Sequence, residues 1–327
     1  MNRRSLIGAV AAAVLLATTA AWAEVKVALD TPPDLEQAGS YVWAHTFVEE
    51  LKKNGMAAKE FPRGSLGEEA EKLDQVSQGL LEVSMSDVKS AGKIDKLIFG
   101  VYLPYMFKDI AHLDRAMKDA GLLDEINARI KANGVRVLAL TALGPPAGIF
   151  NTKKPVRTVA DMADLRMRAL DEFQIALFEA WGTTGTIVTW SEVPNALQTG
   201  VADGYINAVF VPLMFGHTDF IKYFTDARLA QSVRIAIASN DWYEGLSAKD
   251  RAIVDKAVAT ATRANREWLA EREKKMLADA KAAGIAIVEL TPEAREEFVT
   301  RSRKIWTEGV LTPAQAKIWI DAADKTR

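Results

Sequence analysis

Two arginines one residue apart are the most chemically suggestive pair in this chain. Across Leu165 to Leu170 a β-strand would turn Leu165, Met167 and Ala169 to one face, and Arg166 and Arg168 to the other. A guanidinium is a planar fork of donors that a carboxylate accepts bidentately, so an arginine turned into a cleft could hold an organic anion. Alternation alone describes a half-buried strand with two solvated arginines equally well. Other chemistries lack their residues. The sequence contains no cysteine, which excludes a thiolate nucleophile, a disulfide and Cys-ligated zinc. Its three histidines, His45, His112 and His217, lie far apart and form no H-E-x-x-H pair. There is also no G-x-S-x-G elbow or G-x-x-x-x-G-K-[ST] loop. Each histidine reads as a structural or surface residue, and no catalytic residue, metal site or cofactor is expected.

The elements that would position such a site alternate short apolar strands with amphipathic helices. Val25 to Leu29, Ala57 to Phe61, Glu82 to Ser86 and Val135 to Leu140 read as strands. Ala38 to Asn54, Glu68 to Gln78 and His112 to Lys131 read as helices, with another beginning near Val159. Such alternation argues for a largely parallel α/β architecture with helices on both faces. Ser191-Glu192-Val193-Pro194 predicts a capped helix that Gly200 ends, followed by buried strands at Val201 to Val209 and Ile235 to Ala238. From Ser247 no glycine or proline occurs until Gly284, so one helix of about 36 residues is expected. The alternative is two helices with a kink near Thr262. Further helices start at Thr291-Pro292 and Thr312-Pro313. No repeat, low-complexity tract or Gly/Ser linker is present, so two lobes would be joined by crossing strands and not by a tether.

The first 23 residues form a distinct segment. Arg3 and Arg4 precede an apolar run from Leu6, which ends in small residues at Ala21-Trp22-Ala23. This is the pattern of a secretory signal peptide cleaved after Ala23, leaving Glu24 first and the protein in the periplasm. A membrane anchor is the competing reading, but Thr18 and Thr19 interrupt a run already short for a span. Asn2-Arg3-Arg4-Ser5-Leu6-Ile7 also looks like a twin-arginine signal, although the ordinary secretory route is the default. Without cysteine there is no lipidation site. The 41 basic and 43 acidic residues give a formal charge of −2, which becomes −4 without Arg3 and Arg4, so no nucleic-acid partner is indicated.

Five local blocks then resemble one family. They are Phe61-Pro62-Arg63-Gly64-Ser65-Leu66-Gly67-Glu68, Leu103-Pro104-Tyr105-Met106-Phe107, Asp164-Leu165-Arg166-Met167-Arg168, the segment Trp190 to Gly200, and Asp203-Gly204-Tyr205-Ile206-Asn207. In this order, behind a signal peptide and ahead of a very long helix, they resemble the DctP-type solute-binding proteins of TRAP transporters. The resemblance implies a two-lobed periplasmic binding protein of the Venus-flytrap type, with crossing hinge strands and a long helix spanning both lobes. Carried over, lobe one is residues 24–145 plus 233–275, and lobe two is 146–232 plus 276–327. The implied partners are a small organic acid and the TRAP membrane permease, with the protein acting as a monomer.

The resemblance also assigns roles. Arg168 stands where the family pairs an arginine with the ligand carboxylate, and Arg166 where an ordinary exposed basic residue falls. Asn207 matches a cleft asparagine able to donate to a ligand oxygen. Trp190 falls at an aromatic position facing the ligand's apolar part, with Phe210 a further candidate. On the first lobe, Asp30, Glu69 and Asp87 align with cleft positions whose carboxylates would accept from ligand hydroxyls or an amine. Several family members carry a second arginine just before the segment matching Phe150-Asn151. Here that stretch is Gly144-Pro145-Pro146-Ala147-Gly148, which predicts a ligand with one carboxylate in preference to a dicarboxylate. A ligand sensor of the same fold, or an enzyme without any recognised motif, are the competing functions. The identity of the acid, the permease docking surface and the export route are not readable.

Overall fold

Residues 24–327 are described by a computed structural model; the signal-peptide reading concerns residues 1–23 and lies outside the described residues. Two sheets organise the chain. The first takes β1 (Val25–Ala28), β2 (Ala58–Phe61), β3 (Val83–Ser86), β4 (Val135–Ala142) and, from much later in the sequence, β10 (Val233–Ser239). Their order is β2-β1-β3-β10-β4, with β10 antiparallel to both neighbours and β1 parallel to β2 and β3. Lying between β3 and β4 with both faces covered, β10 reads VRIAIAS, the near-continuous apolar run expected of a strand buried on two sides. The second sheet contains β5 (Gly148–Asn151), β6 (Arg166–Ala169), β7 (Thr184–Ile187), β8 (Gly204–Asn207), β9 (Tyr223–Thr225) and β11 (Ala286–Val288). Its order is β11-β9-β5-β8-β6-β7.

The lobes are joined as the sequence predicts, by crossing strands. The segments between β4 and β5 and between β9 and β10 run side by side. They are held by Leu143 N–H to Ser232 O at 2.8 Å, and by reciprocal bonds between Ala147 and the 229–230 segment at 2.9 Å. The helix Ala248–Ala282 is unbroken over 35 residues, about 52 Å. No kink occurs at Thr262, whose hydroxyl instead accepts from Trp43 Nε1 at 3.0 Å. Ser247 caps its start by accepting from Asp250 N–H at 3.1 Å, and Gly284 follows its end in the left-handed region at φ 85°. Its first half packs on the helix Gly39–Lys53 of the first lobe, and Met276 and Ala280 near its end share a core with Phe224 and Ile285 of the second.

Several elements depart from the sequence reading. The single helix expected over His112 to Lys131 is two, Ile110–Lys118 and Leu122–Ile130, because Gly121 adopts φ 77° between them. The helix near Val159 is a four-residue 3-10 turn, and the strand Val201 to Val209 contracts to β8. Gly200 ends the helix Val193–Thr199 as expected, but Ser191 lies within a leading 3-10 turn and does not cap it. The C-terminal helix Pro313–Lys325, assigned from the resemblance to lobe two, packs on lobe one. There Trp319 Nε1 donates to Leu97 O at 2.7 Å, and His112 Nε2 lies 2.8 Å from Ala323 O. Earlier parts of the same C-terminal stretch do belong to the second lobe: β11 joins its sheet, and the helix Pro292–Arg303 and the short helix Ile305–Glu308 lie against its helix Glu172–Ala180.

First helix, β4 and long helix meet at Gly39. Buried Asn265 of the long helix accepts from Ala142 N–H at 2.8 Å and donates to Gly39 O at 2.7 Å and Ala142 O at 2.9 Å. A Cβ on Gly39 would stand 2.1 Å from Ala142 O and 2.4 Å from the Trp268 ring. Backbone cannot retreat from such contacts cheaply, so Gly39→Ala is expected to cost about 1–3 kcal/mol in urea unfolding. A denaturation midpoint equal to that of the wild type would contradict this packing.

Candidate ligand site

A cavity of about 390 Å³ lies between the lobes. Asp30, Glu69 and Asp87 reach it from the first lobe, Arg168, Trp190 and Asn207 from the second, and Gln231 to Arg234 from the crossing strands. Six of the seven residues proposed from the sequence therefore meet at one place.

Strand β6 settles which arginine faces inward. Arg166 is exposed and is spoken for by Asp203, through Nη2 to Oδ1 at 3.1 Å and Nε to Oδ2 at 3.2 Å. Arg168 is only 3% exposed, and its one hydrogen bond runs from Nε to Val188 O at 2.9 Å. Its Nη2 is buried with no partner among the described residues, an expensive state for a charged donor. Burial pulls the guanidinium down to about 10 against the opposing pull of Asp87 and Asp171. Its carbon sits 5.4 Å from the Trp190 ring centroid. Trp190 is in turn fixed edge-on to Tyr205 and Phe215 at 5.7 and 5.1 Å, and packs on His217 at 5.2 Å. His217 lies 3.1 Å from the Tyr205 hydroxyl. Burial and the Arg168 charge hold it down at about 4, so it is a neutral prop beneath the tryptophan. Asn207 Oδ1 accepts from Ala208 N–H at 2.9 Å, leaving the amide NH2 as the group it can offer the cavity.

Phe210 is a correction. Its ring is 1% exposed and does not line the cavity; it fills the space left by Gly144, whose absent Cβ would lie 2.4 Å from it. The chain turns after β8 into the helix Val211–Phe215, so the residue three after Asn207 packs into the core.

The first-lobe acids hold a partner that the sequence reading missed. Arg234 enters the cavity from β10, its Nε 2.7 Å from Asp30 Oδ2 and its Nη2 2.9 Å from Glu69 Oε1. Asp30 Oδ1 accepts from Ser40 Oγ at 2.9 Å, and Glu69 also takes Lys72 Nζ at 3.3 Å. Glu69 Oε2 accepts from Asp87 N–H and Ser90 Oγ, both at 3.2 Å. Burial works to raise the Glu69 carboxyl, but the Arg234 and Lys72 charges outweigh it and hold it at about 2. A second arginine thus does reach the cavity, from a different strand than the family pattern suggests, and two carboxylates already occupy its fork.

Asp87 is placed differently. It is 3% exposed, its Oδ1 is buried without a partner, and its nearest cation, Lys89 Nζ, stands 4.0 Å from Oδ2. Although it precedes the helix Val88–Gly92, its side chain makes no capping bond. Burial first, then the Glu69 charge, pushes its carboxyl up to about 6. A folded value above the ordinary one near 3.9 means that this group weakens the ligand-free fold as pH rises from about 4 through 6. The ligand-free Asp87→Asn variant is therefore expected to melt above the wild type at pH 7.5, with the gap closing toward pH 4. Equal melting temperatures at both pH values would show that the buried charge is compensated.

A cavity shared by two lobes, backed by the strands that join them, is the architecture of a two-lobed solute-binding protein. The chain belongs to the bacterial extracellular solute-binding protein family 7, DctP, whose model matches residues 38–311. It is 30% identical over 267 residues to the ectoine/5-hydroxyectoine-binding periplasmic protein UehA of Ruegeria pomeroyi, covering 79% of this chain and 77% of that one. It is 26% identical to the C4-dicarboxylate-binding periplasmic protein DctP of Rhodobacter capsulatus, over 94% of this chain and 91% of that one. A TRAP periplasmic solute-binding protein from Xanthobacter autotrophicus, solved with β-D-galacturonate, superposes with a TM-score of 0.81. That likeness, at 20% identity over 92% of this chain and 99% of the other, shows the shared fold.

Proposed function

We propose that the protein is exported by cleavage after Ala23, captures a small organic acid in the periplasm and hands it to a TRAP-type membrane permease. One observation carries the ligand class: a buried arginine, Arg168, faces the interlobe cavity with its Nη2 partnerless. A carboxylate supplies the acceptors that this fork lacks, and closing the lobes over the pair removes it from water, where charge-assisted bonds are strongest. Asn207 donates to a ligand oxygen, and Trp190 packs against its apolar part. The crossing strands flex as the hinge, so loaded and empty protein present different lobe positions to the permease. Relatives bearing names that speak of galacturonate and C4-dicarboxylate support an acid as ligand. The occupied fork of Arg234 supports one carboxylate over two.

A thermal-shift screen of residues 24–327 against sugar acids, keto acids, hydroxy acids, amino acids, aromatic acids and dicarboxylates tests this reading. Ligand at 100 times its dissociation constant adds about 2.7 kcal/mol, a readily measured rise. A saturable shift with one class of acid is expected; stabilisation by uncharged solutes alone would sink the carboxylate reading, and succinate outranking every monocarboxylate would sink the preference.

A further inference from the structure

The charges in the cavity do not cancel uniformly. Arg234 and Lys72 balance Asp30 and Glu69, and every oxygen of those two carboxylates accepts at least one hydrogen bond. Two groups are left out, and they come from opposite lobes. Arg168 has no carboxylate within 4.0 Å, and Asp87 has no cation closer than 4.0 Å. Both are 3% exposed and both line the same cavity. A second buried carboxylate oxygen without a partner, Asp171 Oδ2, belongs to a residue that does not line the cavity, and that residue's Oδ1 caps the helix Glu172–Ala180 at 3.0 Å from Gln174 N.

The cavity lining, which also carries Arg63, Lys89 and Lys93, therefore includes one deeply buried cation with no carboxylate partner and one deeply buried carboxylate whose Oδ1 has no partner and whose Oδ2 meets Lys89 only at 4.0 Å. A ligand that offered only a carboxylate would satisfy Arg168 and leave Asp87, once the lobes closed, as a desolvated charge offset only by the Lys89 ammonium at 4.0 Å. A hydroxyl would give Asp87 a hydrogen bond but no countercharge. A protonated nitrogen gives it both. The surroundings suit a cation as well, since Tyr102 and Phe173, with ring centroids 6.4 Å apart, also line the cavity and an aromatic face attracts positive charge. From these observations we infer that the ligand is a zwitterion, its carboxylate on Arg168 and a protonated nitrogen on Asp87. The inference rests on the carboxylate reading of Arg168 and adds the second recognition point.

Matched triples of acids that share one carboxylate test it, differing only in the group at the far end: a protonated amine or amidine, a hydroxyl, or a second carboxylate. The set begins with 4-aminobutyrate, 4-hydroxybutyrate and succinate and extends to cyclic and branched analogues. In calorimetric titration the nitrogen-bearing member of each binding triple is expected to bind tightest. Asp87→Asn, which keeps the shape and removes the charge, should weaken that member about 100-fold and its hydroxyl analogue less than about threefold. Tighter binding of the hydroxyl or dicarboxylate members, or wild-type affinity for the zwitterion in Asp87→Asn, overturns the inference while leaving the Arg168 clamp standing. Undiminished zwitterion binding in Arg168→Ala overturns the clamp itself. No binding by any member overturns both.

Discussion

Arg168→Ala removes binding without removing the fold. Truncating one partner of a buried, hydrogen-bonded charge pair costs about 2–5 kcal/mol, so the variant's affinity for the acid found by the thermal screen is expected to fall by at least about 100-fold. The ligand-free protein behaves otherwise. Arg168 contributes one hydrogen bond to Val188 O and a cation–π contact with Trp190, and against these stands a buried Nη2 that nothing satisfies. These terms oppose each other, and urea unfolding of the ligand-free variant is expected to lie within about 1 kcal/mol of the wild type. Arg168→Lys keeps the charge but loses the planar fork, and about a tenfold loss of affinity is expected. Calorimetry showing wild-type affinity in Arg168→Ala would end the assignment; a collapse in stability would make the residue structural.

Arg234→Met has the opposite signature. Arg234 joins Asp30 and Glu69 across 204 and 165 residues of sequence, and its loss strands two carboxylates in the cavity wall. Breaking a buried ion pair from one side costs about 3–5 kcal/mol at neutral pH. Asp30 suffers most, since only the Ser40 hydroxyl remains to it, whereas Glu69 keeps Lys72. The sign with pH follows. In the wild type Glu69 is held at about 2, so the stability it contributes is present above its ordinary value near 4.3 and is lost as pH falls through about 2. In the variant the Glu69 carboxyl loses the Arg234 charge and titrates higher, so protonation relieves it and the deficit narrows from pH 7 toward pH 4. Urea midpoints at the two pH values measure this, and a deficit that widened on acidification would show that the cluster is not held by these charges.

The contrast explains what the sequence disclosed. Arg168 was legible because a strand alternates strictly and because local blocks carry the family's pattern. The long helix was legible because nothing between Ser247 and Gly284 could break it. Arg234 was not, although it stands beside a strand correctly read from Ile235, because its role is defined by acids from two distant elements. Phe210 failed for a related reason: residue spacing does not reveal where a chain turns, and the turn after β8 aims the ring at Gly144. The helix break at Gly121 was a local signal passed over. What remained hidden was the pairing of charges between distant elements of the first lobe, which no short stretch of chain contains.

The C-terminal helix has a consequence for the order in which the molecule can be made. Trp319 closes over Gly100 and bonds Leu97, 222 residues earlier, and β10 inserts into a sheet whose other strands were synthesised long before. Contacts this distant in sequence form slowly, because the chain loses loop entropy before it gains them. The first lobe to emerge from the ribosome is therefore the last to be completed: it lacks an internal strand until residues 233–239 exist and its outer helix until residues 313–325 do. Until then the first lobe cannot close its core, and its exposed sheet edge and apolar faces await segments from the far end of the chain.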